Sequence, residues 1–300
     1  MKKIVILFSM ITIFSLISIV EGKEMTKFKV ALIQMTPSHL NKKANIDKMI
    51  KFINVATGQG AKLLVFPELI VTGYVGPYSP QEHIGFYQAS EPIPGPTTKL
   101  IQNIAEEKGV FIIFGMAERG ESKLGPIMYN NSIMVGPKGF LAYHRKVHLP
   151  LGEKLYFKPG NEINVFDTEI GRIALLVCYD FWFPESSRVA GLNGAQIIVD
   201  IANWPAFDVD PWFALGQGVA ASNMVWFIGV NRVGGEDFWP GFGGSIIVNP
   251  SGKIITKGDD KEGIYYGEID VKEVMERRTI PPIWFDRRPE IYDPIVKKRF

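Results

Sequence analysis

Between Lys27 and Phe66 the chain changes hydrophobic period twice, and no other feature restricts its fold as much. Lys27 to Met35 alternates in polarity, ends in an apolar cluster and is broken by Thr36, Pro37 and Ser38, which predicts a first strand. Ile46, Met49, Ile50, Ile53 and Ala56 then recur at helical spacing until Gly58 and Gly60 stop the helix. Leu63 to Phe66 is a short apolar strand that ends at Pro67 and Glu68. Strand, helix and strand in so short a span form a βαβ unit, so a largely parallel sheet begins here.

Further along, helices and hairpins alternate. Gly73 to Pro80, rich in Gly, Pro and Tyr, is a loop suited to a lid or pocket wall. Leu100, Ile101, Ile104 and Ala105 mark a helix closed by Gly109, and Val110 to Met116 is a buried strand. Asn130 to Gly136 and Phe140 to Arg145 flank the turn Pro137, Lys138, Gly139, a hairpin signal. Strands follow at Ile163 to Phe166 and Ile173 to Val177, then a helix from Pro184 to Asn193, a strand Ile197 to Asp200, a helix Trp212 to Met224 and a strand Val225 to Val230. Gly244 to Val248, Lys253 to Thr256 and Gly263 to Ile269 read as a closing meander. No low-complexity linker interrupts the chain after Lys27, so we expect one domain, residues 27–277, of class α/β, with two sheets face to face and helices outside. Residues 278–300 form a Pro-rich, basic tail too irregular to pack alone, suited to lie on a neighbouring subunit.

Lys2 and Lys3 precede a nearly unbroken apolar run from Ile4 to Val20, followed by Glu21, Gly22 and Lys23. Residues 1–22 therefore read as a secretory signal peptide or an N-terminal membrane anchor, which predicts an exported or membrane-anchored protein. A formal net charge of +2 gives no reason to expect nucleic acid as a partner, and small-molecule substrates fit better. One cysteine excludes an intrachain disulfide framework, and with four scattered histidines it leaves no structural zinc site to expect.

That cysteine, Cys178, stands where the apolar run Ile173 to Val177 ends. The carboxyl end of a strand is where α/β sheets hold reactive groups, although a lone cysteine beside Val and Leu is also a common core residue. Glu68 follows LLVF and precedes Leu69, Ile70 and Val71, a setting in which a carboxylate needs a partner. Lys146 sits where the second hairpin strand runs out, a position where lysine is ordinarily solvated. If the three converge they supply a nucleophile, a proton carrier and a polarising cation. Burial would raise the Glu68 and Cys178 pKa values and a nearby ammonium would lower both, so the sequence leaves the thiol's state open.

The blocks FPEL with Glu68, YHRKVHLP with Lys146, LGEKLYFKPG with Glu153 and VCYDFWFPE with Cys178, in this order, resemble the nitrilase superfamily of carbon-nitrogen hydrolases. The resemblance covers Lys27 to Arg277 and implies an αββα sandwich: two mixed sheets face to face, with helices on both outer faces. It implies a Glu68, Lys146 and Cys178 triad supported by Glu153, with the Lys146 ammonium and the Tyr179 backbone N–H as oxyanion donors. It also implies a thioester intermediate, no metal or organic cofactor, and a homodimer formed near the Pro184 to Asn193 helix and the tail. Tyr74, Trp182, Phe183, Asn203 and Trp204 are the candidate pocket walls. The Tyr and Asp after Cys178 resemble amidases and N-carbamoyl amine hydrolases more than nitrilases, so a small linear amide or carbamoyl substrate is expected. Nitrile hydrolysis, acyl transfer by the same triad, and a silent binding protein of the same fold are the alternatives. A Cys–His hydrolase using His144 or His148 would need HRKVH to be helical, against Pro150 and the preceding strand.

Overall fold

The computed structural model describes residues 25–123, 125–235 and 239–297. Its first strand, β1 (Lys27–Gln34), is followed by α1 (Lys42–Gly58), β2 (Leu63–Val65), α2 (Pro80–Ala89), α3 (Pro96–Lys108), β3 (Phe111–Ser122), β4 (Gly125–Gly136) and β5 (Gly139–Arg145). After a 3₁₀ turn at Leu151–Leu155 come β6 (Val165–Thr168), β7 (Gly171–Val177), a 3₁₀ turn at Cys178–Trp182, α4 (Pro184–Leu192), β8 (Ile197–Ala202), α5 (Val209–Asn223) and β9 (Trp226–Asn231). A small pair, β10 (Val233–Gly234) and β11 (Gly241–Phe242), precedes β12 (Ile246–Val248), β13 (Ile254–Lys257), β14 (Gly263–Asp270), α6 (Lys272–Thr279) and α7 (Asp293–Val296).

Alternate residues of the early strands meet different neighbours, which is the two-residue period of a strand buried on both faces. Val30, Leu32, Leu63, Val65, Phe111 and Ile113 join the core shared with the β7, β8 and β9 strands. Ala31, Ile33, Leu64, Phe66, Ile112 and Phe114 instead pack on Met49, Ile53 and Ala56 of α1 and Ile101 and Ala105 of α3. The first sheet has the order β14-β1-β2-β3-β4-β5 and the second β13-β12-β9-β8-β7-β6. In the first, β1, β2 and β3 are parallel and the outer pairs antiparallel; in the second, β7, β8 and β9 are parallel and the outer pairs antiparallel. Ala190 of α4 and Trp212, Val219 and Ala220 of α5 cover the second sheet. The α/β architecture expected from the chain, two mixed sheets between helices, is the one observed.

Three features differ from the sequence reading. The last strands do not form a meander: β13 pairs with β12, whereas β14 crosses to the other sheet and pairs with β1 along its whole length, Lys27 opposite Asp270. Hydrophobic period assigns a strand but not its partner. Helix α2 also escapes pattern reading, because Phe86 is its only buried residue and no apolar stripe exists. Its start is nonetheless signalled, by the Ser79 side chain accepting from Glu82 N–H at 3.1 Å and Pro80 in the first turn. Third, the tail begins inside α6, and within the chain Trp284 packs on Gly191 of α4. The predicted leader, residues 1–22, lies outside the described residues. Among those described, no helix is long and apolar enough to cross a membrane.

Candidate active site

Glu68 follows β2 in a turn whose next residue, Leu69, has φ of 47°, the left-handed region that side chains other than glycine rarely occupy. Gly115 of β3 makes that turn possible. A Cβ there would lie 2.4 Å from Leu69 N and 2.7 Å from Glu68 Cα. Lys146 leaves β5 with its N–H donating to Asn130 O at 2.8 Å, and its carbonyl accepts from Gly160 N–H at 2.8 Å. Gly160 is required as well, since a Cβ would meet Arg145 O at 2.2 Å. Glu153 stands in the 3₁₀ turn Leu151–Leu155. Cys178 opens the 3₁₀ turn after β7 with φ of 49°, a second strained position at a strand end.

Glu68, Lys146 and Glu153 meet in one buried cluster, and all three act electrostatically on the buried Cys178. Glu68 and Lys146 are 0% exposed, Glu153 2% and Cys178 7%. Lys146 Nζ donates to Glu68 Oε1 at 2.7 Å and to Glu153 Oε1 at 2.7 Å. Asn130 Nδ2 donates to Glu68 Oε1 at 2.7 Å and to Glu153 Oε2 at 3.4 Å, and Tyr74 Oη donates to Glu153 Oε1 at 2.6 Å. The second Glu68 oxygen accepts from Asn203 N–H at 2.8 Å, and Asn203 Nδ2 donates to the Glu68 carbonyl at 3.0 Å. Every oxygen of the two carboxylates therefore has a donor, the condition under which buried charge is tolerated.

Burial works against the Lys146 ammonium, but Glu153 and Glu68 outweigh it and hold its pKa well above the usual lysine value. Burial also drives the Cys178 thiol well up, Glu68 adds to that, and Lys146 only partly opposes it. Burial and Glu68 thus outweigh Lys146, a balance that favours the protonated thiol and calls for a base. Burial raises the Glu153 carboxyl against the pull of Lys146, and it raises Tyr74 well above the ordinary phenol, so that Tyr74 remains a donor.

His144 and His148 turn away from this chemistry. His144 Nε2 and His148 Nδ1 each lie 2.9 Å from the Asp180 carboxylate, which only accepts, so both nitrogens carry protons. Asp180 also accepts from the N–H groups of Val147 at 3.1 Å, His148 at 2.8 Å and Val177 at 3.3 Å. Against the opposing effect of burial, His144 and His148 lower its carboxyl far below the usual range. The bonds tie the segment after Lys146 to the strand end that presents Cys178. HRKVH forms a strand end and a loop, not a helix.

The candidate pocket residues divide. Tyr74 and Asn203 bond the two carboxylates directly, as given above. Trp204 is 1% exposed with its ring beside Phe181 and Trp212, and Trp182 stacks on it from outside at 5.3 Å. Phe183 stacks on His148 at 3.8 Å, and Tyr179 meets Phe183 edge-on at 5.4 Å. Sequence reasoning missed Asn130, Asp180, Asp200 and Trp239. Asp200 carries a signal, a charged residue inside the otherwise apolar strand IIVDIA, whereas Asn130 lies in a polar run with Asn131 and Ser132, and Asp180 is legible only as part of the Tyr and Asp pattern after Cys178. Trp239, whose Nε1 donates to Asn203 O at 2.7 Å and whose ring stacks on Tyr74 at 5.8 Å, follows no local pattern.

Among known proteins, the nitrilase of Pyrococcus abyssi is 35% identical over 270 residues, covering 88% of this chain and 98% of its own. The omega-amidase NIT2 of Homo sapiens is 30% identical over 291 residues, covering 91% and 100%. The crystal structure of a carbon-nitrogen hydrolase from Helicobacter pylori superposes with a TM-score of 0.82 at 25% identity, covering 91% of this chain and 99% of that one. The carbon-nitrogen hydrolase family model spans residues 29–279, from within β1 to the end of α6. With both sheets and the whole buried cluster inside that span, the chain belongs to the carbon-nitrogen hydrolase family, in the amidase branch of the nitrilase superfamily, and is a hydrolase.

Proposed function

We propose that this hydrolase cleaves the C–N bond of small linear amides or N-carbamoyl compounds through a thioester on Cys178. The observation that carries the reading is the Lys146 ammonium bonded at 2.7 Å to both Glu68 and Glu153, a buried cluster whose charges act on the buried Cys178. Because the thiol rests protonated, Glu68 first takes its proton and the sulfur attacks the amide carbon. Negative charge develops on the amide oxygen, where the Lys146 ammonium and the Tyr179 N–H are the donors, each worth about 3 kcal/mol in such sites. Glu68 returns the proton to the nitrogen, ammonia or an amine leaves, and a thioester remains. Glu68 then deprotonates water, which attacks the thioester; the acid departs and Cys178 recovers its proton. Glu153 and Tyr74 hold Lys146 at its station, and Asn130 and Asn203 fix the face of Glu68.

Similarity to the human omega-amidase supports an amide substrate, and the Tyr and Asp after Cys178 point the same way. Similarity to the Pyrococcus nitrilase brings nitriles into the test. Ammonia release should be followed over a panel of linear amides, ureido compounds and nitriles, with intact mass after rapid acid quench. We expect release from amides or ureido compounds, an acyl adduct on the native chain, and neither with Cys178→Ala. Turnover confined to nitriles, or activity surviving in Cys178→Ala, would overturn the reading.

A further inference from the structure

Asn203 follows β8 directly and is 1% exposed. Its main-chain N–H donates to Glu68 Oε2 at 2.8 Å, its carbonyl accepts from Trp239 Nε1 at 2.7 Å, and its Nδ2 donates to the Glu68 carbonyl at 3.0 Å. Because a carbonyl only accepts, the last of these bonds identifies the side-chain nitrogen and fixes which way the amide is turned. Asn203 Oδ1 is left buried, and among the described residues no donor reaches it. A residue tied at three points cannot swing this oxygen out to water, and an acceptor enclosed without a donor is costly. Its place beside Glu68 says which donor would suit it. Glu68 Oε1 accepts from Lys146 and Asn130, whereas Oε2 faces Asn203. An amide oxygen drawn to the Lys146 ammonium leaves the amide nitrogen, the other polar substituent of the carbon under attack, on the Oε2 side with Asn203. Asn130 Oδ1 is buried without a partner too, but it belongs to the Lys146 side, where the substrate presents an oxygen and has no hydrogen to give.

We propose that Asn203 Oδ1 accepts an N–H of the scissile amide and so selects substrates whose nitrogen carries hydrogen, primary amides and ureido compounds. Resting on the thioester reading, this assignment adds to it the group that orients the leaving nitrogen. As the carbon becomes tetrahedral, the nitrogen loses its conjugation and gains a free lone pair. An N–H held by Oδ1 turns that lone pair toward Glu68, which protonates it as the C–N bond breaks. The bonding pair leaves with the nitrogen, as ammonia or an amine, and the acyl group stays on sulfur. A site with a buried acceptor placed in this way discriminates against an analogue that lacks the hydrogen, because the acceptor is then left unpaired.

A primary amide and the methyl ester of the same acid deliver the same acyl group to Cys178, but only the amide offers an N–H. Acylation rates for both, read by intact mass after rapid quench, should be measured in the native chain and in Asn203→Leu, which keeps the bulk and removes the polar side-chain atoms. Loss of the Nδ2 bond to the Glu68 carbonyl weighs on both substrates alike, so the ratio between them isolates Oδ1. The amide should lose on the order of tenfold more than the ester. Equal losses, or a larger loss on the ester, would overturn the proposal and leave Asn203 a packing role alone. If the native chain takes the amide and refuses the ester, Asn203→Leu should admit the ester, and continued refusal would count against the assignment. If Asn203→Leu does not fold, Asn203→Ala provides the comparison. Absence of an adduct from either substrate in the native chain would remove the thioester reading and this inference with it, whereas adducts with equal losses remove the inference alone.

Discussion

Replacing Glu68 by Gln separates its structural contribution from its chemical one. The carboxylate accepts Lys146 Nζ and Asn130 Nδ2 on one oxygen and Asn203 N–H on the other. A glutamine amide carries one oxygen and one NH₂, so the oxygen takes the position with two donors and the NH₂ faces the Asn203 N–H. One donor is left unmet, a cost of about 1–3 kcal/mol. The ammonium is not orphaned, because Glu153 Oε1 still accepts it at 2.7 Å. Lys146→Met, by contrast, leaves two buried carboxylates without their cation, in the range of about 3–5 kcal/mol for breaking a buried pair. Urea unfolding should therefore rank native above Glu68→Gln above Lys146→Met. Loss of the proton carrier should lower kcat on the order of 100- to 10,000-fold, equivalent to about 3–5 kcal/mol of barrier. A folded Glu68→Gln chain that keeps near-native ammonia release would refute the assignment of Glu68, and one less stable than Lys146→Met would refute the charge accounting.

Three other outcomes follow from the same geometry. Gly115→Ala places a methyl against the backbone at Glu68, so it should cost about 1–3 kcal/mol in chemical unfolding and depress kcat, although Gly115 donates nothing to substrate. At the left-handed position of Cys178, Cys178→Gly should melt higher than Cys178→Ala, worth about 1 kcal/mol after the glycine's chain-entropy cost; equal melting temperatures would mean the turn carries no strain. Asp200 has a folded pKa raised above its unfolded value of about 4, so its contribution is full below that value and drains as pH rises toward the folded pKa, by about 1.4 kcal/mol per unit. The stability of Asp200→Asn relative to the native chain should accordingly improve as pH rises above about 4 in urea titrations, and a constant difference would contradict the sign.

Cys178, Glu68 and Lys146 were legible because each stands where an apolar strand ends, and a period of two breaks visibly there. Glu153 was legible only through the block that contains it; its turn has no period of its own. Convergence itself was not written in the pattern, since the bonds that join Glu68 to Asn203 and to Lys146 span 135 and 78 residues. The ionisation states were likewise hidden, because they depend on how many donors the fold delivers to each buried oxygen. Asn130 shows the limit most clearly: in the sequence it only opens a strand, and its approach to both Glu68 and Glu153 is what gives it a place.

The crossing of β14 to β1 has a consequence for how the protein is made. During synthesis β1 leaves the ribosome early, but the strand that covers its outer edge is not complete until Asp270 has been added. A nascent or truncated chain lacking that strand presents open N–H and C=O groups along Lys27–Gln34, a template for pairing with other chains. The sheet that carries Glu68 is therefore sealed among the last events of folding, and shortening the carboxyl end past α6 should favour aggregation before it impairs any bond at the site.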